Sequence, residues 1–224
     1  MGIIQIKAAD GHTYSAYEAA PSSEVKGCIV LIQEIFGVNE HIRSVADGYA
    51  EEGFYVIAPA LFDRVETEVE LGYDGSGMQK GIQLVTKLDP KNTLGDIAAA
   101  TSVAKEKHAE SKIAIMGYCF GGAMAWLSAA TLDDFSCAVC YYGGQIASMA
   151  DRTPKCPTLL HFGENDPHIP LSDVDKIREA QPDVEIFVYD GAHHGFNCDA
   201  RSDFHEGSAS IAKRRSLEYF EKYL

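Results

Sequence analysis

The sequence predicts an α/β fold with a mostly parallel central sheet and helices on both faces, for two reasons. Short apolar runs typical of buried strands alternate along the 224 residues with longer segments of helical pattern. Polar loops with reactive side chains follow several of these runs, as they do at the carboxyl edge of a parallel sheet. The length suits a substantial core, so we expect a single domain over residues 1–224.

The N-terminal half of the chain alternates strand-like and helix-like segments. We expect its strands at residues 3–7, 13–18, 28–33 and 55–58. We expect its helices at residues 40–52 and 96–107. The pair Asp10-Gly11 predicts a hairpin turn between the first two strands, and Gly53 predicts the end of the first helix. Asn92 or Thr93 is the expected cap of the second helix. Residues 61–81 are polar, aperiodic and rich in glycine, so we expect a loop there.

The C-terminal half continues the alternation as far as a final helix. We expect its strands at residues 112–116, 138–142, 158–163 and 184–189. We expect its helices at residues 122–130, 172–180 and 208–222. Ser172 is the expected cap of the middle helix. Because helices separate successive strands, the strands should run mainly parallel.

Charge and composition argue against several classes of function. The net charge is −14, with no long acidic or basic run, which argues against binding nucleic acid or an anionic membrane. No apolar run approaches the roughly 18 residues of a membrane-spanning helix. The first twenty residues hold no signal-peptide core. We therefore expect a cytoplasmic protein that acts on a small molecule; the oligomeric state stays open, and a monomer is compatible with these features.

Six cysteines without a secretion signal predict free thiols and no disulfide framework. Cys137 and Cys140 match the C-x-x-C spacing of redox and zinc motifs. They lie in an expected strand, however, where residues three apart point to opposite faces of the sheet. The motif therefore favours two core cysteines over a shared metal or disulfide.

Cys119 occupies the most informative position in the chain. An expected strand precedes it, an expected helix follows it, and Gly117 and Gly121 flank it in the pattern Gly-x-Cys-x-Gly. This is a nucleophile elbow with sulfur in place of the usual serine oxygen. The helix N-terminus beside the sulfur would favour a thiolate. A buried structural cysteine next to a glycine-rich loop is the alternative on these five residues alone.

Two later loops supply an acid and a histidine. Asp166 follows the expected strand 158–163, and His193 and His194 follow the expected strand 184–189. The resulting order of nucleophile, acid and histidine is that of α/β-hydrolases. The histidine would exchange a proton with the nucleophile, and the acid would orient the ring. Spacing alone leaves His193 open as a competitor to His194, and Asp166 open as a simple turn residue before a proline.

An oxyanion would need two backbone N–H donors near Cys119. Phe120 offers one as the residue after the nucleophile, and Ile35 offers the other from the loop after strand 28–33. Glu34 precedes Ile35 and by position alone is expected to be an exposed loop acid. Three aromatic residues near these loops are candidates for substrate binding, with core packing as the alternative: Phe36, Tyr142 and Phe196.

Five stretches together resemble the dienelactone hydrolase (carboxymethylenebutenolidase) family. They span nearly the whole chain in the family's order: residues 33–39, 117–122, 141–143, 163–170 and 194–196. The resemblance implies an α/β-hydrolase fold without a large lid, an ester or lactone substrate, and a triad of Cys119, His194 and Asp166. It also implies that Glu34 contacts the resting thiol and moves when substrate binds. No metal and no organic cofactor is implied.

The chain departs from the family where substrate is held. The family's best-studied members bind the substrate carboxylate with two arginines. Here Cys198 stands at the first of those positions, and residues 78–80 offer no arginine at the second. Arg64 and Arg201 lie nearby in sequence as possible substitutes. The resemblance therefore supports ester or lactone cleavage more strongly than it supports dienelactone as the natural substrate.

Other classes of function fit the sequence less well. Amidotransferases with a cysteine elbow need a His-x-Glu pair after the nucleophile, and this chain has none. A zinc site would have to draw on His193, His194, Cys198 and His205, whose spacing is not typical of zinc. A non-catalytic scaffold that binds a ligand stays open, although an intact triad argues against it.

Overall fold

The structure, a computed structural model, describes residues 1–224 and contains eight strands and six α-helices. The strands are β1 (Gly2–Lys7), β2 (Thr13–Ala19), β3 (Gly27–Ile32), β4 (Phe54–Pro59), β5 (Ile113–Tyr118), β6 (Cys137–Tyr141), β7 (Thr158–Gly163) and β8 (Glu185–Tyr189). The helices are α1 (Glu40–Glu51), α2 (Gly75–Val85), α3 (Pro90–Lys107), α4 (Phe120–Thr131), α5 (Leu171–Ala180) and α6 (Glu206–Tyr223). Two short 3₁₀ helices cover Leu61–Arg64 and Ile146–Met149.

The strands follow the sheet order β1-β2-β4-β3-β5-β6-β7-β8. β1 and β2 pair antiparallel, as do β2 and β4. The pairs β3–β4, β6–β7 and β7–β8 are parallel. The mostly parallel sheet predicted from the alternation of elements is confirmed. The chain also divides into two compact units, one of residues 1–114 with Leu224 and one of residues 115–223.

The first unit begins with the predicted hairpin. Lys7 pairs with Thr13 across the turn, and Gly11 adopts a φ of 92°, a left-handed conformation that glycine tolerates best. β3 and β4 are buried at every position, so both faces of these strands are covered. α1 packs against β4, and α3 packs against β3 and β4. Asn39 caps α1 by accepting a hydrogen bond from the Ile42 N–H.

Two predictions for the first unit are wrong in detail. The helix expected from residue 96 begins at Pro90, and its cap is Asp89 instead of Asn92 or Thr93. Asp89 accepts from two backbone N–H groups of the first turn, and proline suits the first helical position because it needs no partner there.

The loop expected over residues 61–81 contains a 3₁₀ helix and most of α2. Asp74 caps α2 by accepting from the Gly77 N–H. The glycines of this helix serve close packing. A Cβ on Gly77 would lie 2.0 Å from the carbonyl oxygen of Gly72, and one on Gly81 would lie 2.2 Å from that of Ile35. Glycine-rich composition was therefore a misleading sign of a loop.

The second unit carries the remaining parallel strands. β6 and β7 are buried at every position, and α4 and α6 pack against β6. α4 is almost wholly buried, in keeping with its apolar sequence. α5 begins at Leu171 after Pro170 and has no side-chain cap, so the cap predicted at Ser172 is wrong. None of the six helices combines the length and the apolar character needed to cross a membrane.

Candidate active site

Cys119 lies at the turn between β5 and α4, where it caps the helix. Its φ of 54° and ψ of −115° are strained for a residue with a side chain. Two backbone hydrogen bonds hold this conformation: the Cys119 N–H donates to the carbonyl of Tyr141 at 3.0 Å, and the Ala123 N–H donates to the carbonyl of Cys119 at 3.2 Å. The surroundings therefore enforce the sharp turn expected of a nucleophile elbow.

Glycines allow the backbone to approach itself closely around this turn. A Cβ on Gly117 would lie 2.2 Å from the carbonyl oxygen of Gly121. A Cβ on Gly122 would lie 2.5 Å from the carbonyl oxygen of Tyr141. The need for glycine at position 117 follows from the elbow pattern. The elbow pattern does not predict the need for glycine at position 122, because the backbone that approaches this residue belongs to a strand about twenty residues further along the chain.

Cys119, His194 and Asp166 form a continuous chain of hydrogen-bonding contacts. His194 Nε2 lies 3.1 Å from Cys119 Sγ, and His194 Nδ1 lies 2.7 Å from Asp166 Oδ2. The other carboxylate oxygen of Asp166 accepts from the His168 N–H at 2.8 Å. All three residues belong to the second unit, in the segments that follow β5, β7 and β8. Asp166 is thus both a turn residue and a partner of the imidazole.

The geometry distinguishes the two neighbouring histidines. His193 is exposed, whereas His194 is buried between the carboxylate and the sulfur. Gly195 follows with a φ of 80°, which turns the chain directly after the ring. Burial disfavours the imidazolium, but the hydrogen bonds to Asp166 and Cys119 outweigh burial and raise the pKa of His194 to about 10. The site therefore favours a protonated imidazole beside the sulfur.

The other five cysteines lie in less reactive surroundings. All six cysteines are free, and Cys119 and Cys156 are the two that are partly exposed. Burial raises the pKa of Cys28 and of Cys156 to about 11, and it also raises the pKa of Cys140. Cys119 alone combines partial exposure with a contact to His194.

The three candidate substrate-binding aromatics are all buried. The Tyr142 ring lies 5.1 Å from the His194 ring and 5.4 Å from the Phe196 ring, between ring centroids. Tyr142 has a φ of 37°, so its backbone is strained next to the candidate site. Phe36 belongs to the first unit and packs on Tyr73 at 4.5 Å. Core packing accounts for all three positions, and contact with substrate stays a prediction.

Glu34 is completely buried, so the expectation of an exposed loop acid is wrong. Its Oε2 accepts a hydrogen bond from the Tyr73 hydroxyl at 3.0 Å, whereas its Oε1 has no hydrogen-bond partner. A buried oxygen left in this state is costly and is a frequent mark of a functional group. Tyr73 lies 39 residues further along the chain, which is why position alone could not predict the burial.

The arginines considered as substitutes for the family's carboxylate ligands differ in their surroundings. Arg64 forms ion pairs with Asp10 and Asp96 in the first unit, so its charge is already neutralised. Arg201 lies against Gly195, which is the residue directly after His194. Its Nη2 lies 3.4 Å from Asp203 Oδ2.

Two histidines of the hypothetical zinc group, His194 and His205, are engaged elsewhere. Both ring nitrogens of His194 have partners in Asp166 and Cys119, and His205 Nδ1 lies 2.8 Å from the Ser208 hydroxyl. His194 therefore has no lone pair to offer a metal ion in this arrangement.

The mostly parallel sheet and the strand-to-helix elbow are those of the α/β-hydrolase class. The model of the dienelactone hydrolase family matches residues 14–224, so the chain belongs to that family. A protein of Pseudomonas putida named carboxymethylenebutenolidase is 30% identical over 223 residues, which cover 96% of this chain and 94% of that protein. Membership makes this chain a hydrolase that acts on ester or lactone bonds.

Solved structures agree with this assignment. A crystal structure from Klebsiella pneumoniae described as "Putative Dienelactone Hydrolase" has a TM-score of 0.86 and 30% identity, with full coverage of both chains. A dienelactone hydrolase-like promiscuous phosphotriesterase from metagenomic libraries has a TM-score of 0.76 at 19% identity, covering 99% of this chain and 98% of that one. The second likeness supports the fold alone.

Proposed function

We propose that the protein hydrolyses a lactone or a small carboxylic ester through Cys119, with His194 and Asp166 as the other members of a catalytic triad. The observation that carries the proposal is the unbroken contact chain from the sulfur through the imidazole to the buried carboxylate. Family membership supports the reaction class, and the elbow conformation of Cys119 supports its role as the nucleophile.

In the acylation step, the Cys119 thiolate attacks the carbonyl carbon of the substrate and forms a C–S bond, and the carbonyl electrons move to oxygen. When this oxyanion collapses, the C–O bond to the leaving group breaks. His194 then gives its Nε2 proton to the leaving oxygen. In a lactone the leaving oxygen stays attached to the acyl chain.

In the deacylation step, neutral His194 takes a proton from water while the water oxygen attacks the thioester carbon. Collapse of the second oxyanion breaks the C–S bond, which releases the acid and restores the thiolate beside a protonated imidazole. Asp166 keeps the ring oriented and stabilises its charged form throughout, because it accepts from Nδ1.

The oxyanion needs donors that are already in place before reaction. We assign one to the N–H of Phe120, the first residue of α4, because the first amides of a helix point out of its N-terminal end. We assign the other to the N–H of Ile35. Phe36, Tyr142 and Phe196 are the aromatic side chains that we assign to the walls around the substrate.

Glu34 has the proposed role of controlling the thiol. A buried carboxyl oxygen without a partner is available to a new hydrogen bond when the site rearranges. Glu34→Gln should then lower kcat by about tenfold, because an amide cannot replace the carboxyl group in that new hydrogen bond. An unchanged kcat in a folded Glu34→Gln variant would leave Glu34 with a purely structural role.

The proposed substrate is small and need not carry a carboxylate. The charge of Arg64 is already paired, and Lys80 pairs with Glu66. The net charge of −14 disfavours strongly anionic ligands and also nucleic acids and anionic membranes. We propose that the reaction uses no metal and no organic cofactor, that it takes place in the cytoplasm, and that it does not require more than one copy of the chain.

The direct test is hydrolysis of p-nitrophenyl acetate and of a simple lactone by the purified protein. Cys119→Ala should lower kcat/KM by about 10³-fold or more, because it removes the nucleophile. Cys156→Ala is the matched control, since it removes the other partly exposed thiol and should leave the rate unchanged. Equal rates for Cys119→Ala and the wild type would end the proposal.

A further inference from the structure

A buried network of polar side chains, none of them a member of the proposed triad, lies in the second unit. His161 on β7 is completely buried, and its Nδ1 lies 2.8 Å from the hydroxyl of Tyr189 at the end of β8. Its Nε2 lies 3.1 Å from the hydroxyl of Ser216 on α6. The hydroxyl of Tyr141, the last residue of β6, lies 2.8 Å from the same Ser216 oxygen. Four side chains therefore connect three strands and one helix.

A single distribution of protons satisfies every hydrogen bond in this network. Ser216 Oγ has one proton, and it donates that proton to the carbonyl of Ala212 at 3.0 Å. Tyr141 must therefore donate to Ser216 Oγ. Burial lowers the pKa of His161 to about 3, so the ring is neutral and carries a single proton. That proton lies on Nε2 and is donated to Ser216, and Nδ1 accepts from Tyr189.

Each strand in the network leads to one part of the proposed triad. The carbonyl of Tyr141 accepts the hydrogen bond from the Cys119 N–H at 3.0 Å. β7 leads into the loop that carries Asp166, and β8 leads into the loop that carries His194. A displacement of these strand ends relative to one another would thus change the distances along the triad.

We propose that this network positions the triad, with Ser216 as its central positioning residue. Ser216 Oγ is the one atom on which the bonds from β6 and β7 meet, and α6 holds it through the Ala212 carbonyl. The inference rests on the proposed function, because it assigns the network a task in that reaction. It adds residues that have no contact with the reacting atoms.

The test compares Ser216→Ala with the wild type in esterase kinetics and in alkylation of Cys119 by iodoacetamide as a function of pH. The substitution removes the oxygen that accepts from Tyr141 and from His161, so we expect the strand ends to shift. We expect kcat to fall by about tenfold with KM within about twofold, since a small misplacement of catalytic groups acts on the chemical step. The rate of Cys119 alkylation near neutral pH should also fall by about tenfold, because the imidazole is no longer held in contact with the sulfur.

Tyr219→Phe is the matched control. It also removes one oxygen from a buried residue of α6, but from outside the network, and it should leave kcat and the alkylation profile unchanged. Tyr141→Phe is the second test variant, since it removes one bond of the network while Ser216 keeps the others. Like Ser216→Ala, it should lower kcat.

The outcomes separate this inference from the proposed function. A wild type without Cys119-dependent hydrolysis would refute the proposed function itself. An active wild type together with Ser216→Ala and Tyr141→Phe variants that keep its kcat and alkylation profile would overturn the positioning role. A loss of melting temperature alone, or failure of both variants to fold, would overturn it too and assign the network to stability.

Discussion

His194 is the residue on which the electrostatics of the site depend. It is buried, yet it contacts Asp166 through one ring nitrogen and Cys119 through the other. These contacts raise its pKa above that of an ordinary histidine against the effect of burial. A proton on this ring is therefore part of the proposed chemistry, and it also contributes to the stability of the fold.

The raised pKa of His194 predicts a pH dependence of stability. In the unfolded chain the ring titrates near its ordinary value of 6.5, and in the folded protein near 10. Its stabilising contribution is complete below about pH 6.5 and is lost as the pH rises through about 10. The difference in unfolding free energy between the wild type and His194→Gln should therefore shrink by at least about 1 kcal/mol between pH 7 and pH 10.5.

Denaturant unfolding at the two pH values measures this difference, and the comparison with the variant cancels the titration of groups that do not contact His194. A difference that grows with pH would contradict the account, because it would mean that folding lowers the pKa of the imidazole.

Residues with a local signature were predictable from the sequence, and residues with distant partners were not. The glycines around Cys119 and the order of the later loops pointed to Asp166 and His194. The choice between His193 and His194 needed the family resemblance. The burial of Glu34 escaped prediction because its hydrogen-bond partner is a distant tyrosine.

At the scale of elements, buried strands were easier to predict than glycine-bearing helices. β7 was predicted with its observed bounds, because its short and largely apolar run lies between a proline and a polar loop. α2 was mistaken for part of a loop because its glycines lower helix propensity. The close approach that requires Gly81 involves the carbonyl of Ile35, which is remote in sequence.

The packing of α2 predicts opposite effects for two glycine substitutions. Gly81→Ala places a methyl group 2.2 Å from a backbone oxygen, so α2 or the Ile35 loop must move. We expect it to destabilise the protein by about 1–3 kcal/mol and to lower esterase activity. Gly95→Ala adds the same methyl group within α3, where nothing lies within 4 Å, and should stabilise by about 0.5–1 kcal/mol.

Urea unfolding of both variants measures these effects. If Gly81→Ala is as stable and as active as the wild type, the close contact between α2 and the Ile35 loop does not constrain the fold.

At the scale of the whole molecule, we propose that the two compact units unfold as a single domain. The boundary between them falls inside β5, between Ala114 and Ile115, and Leu224 is grouped with the first unit although the preceding helix belongs to the second. Divisions between independent domains normally fall in exposed linkers and not within strands. The family match also runs through the boundary without interruption.

This arrangement predicts coincident unfolding transitions. Trp126, the single tryptophan, lies in α4 of the second unit, so its fluorescence reports on that unit. Far-ultraviolet circular dichroism reports on both units. In urea the two signals should change with the same midpoint, as in a two-state transition. A tryptophan transition clearly separated from the dichroism transition would show two folding units.

The central claim is that hydrolysis proceeds through an acyl group on the sulfur of Cys119. Intact-mass spectrometry of protein quenched during turnover of p-nitrophenyl acetate tests it most directly, followed by peptide mapping. We expect one added acetyl group, located on Cys119 and absent from the Cys119→Ala variant. Steady turnover by a Cys119→Ala variant, or an acetyl group on another residue that forms and decays at the turnover rate, would contradict it.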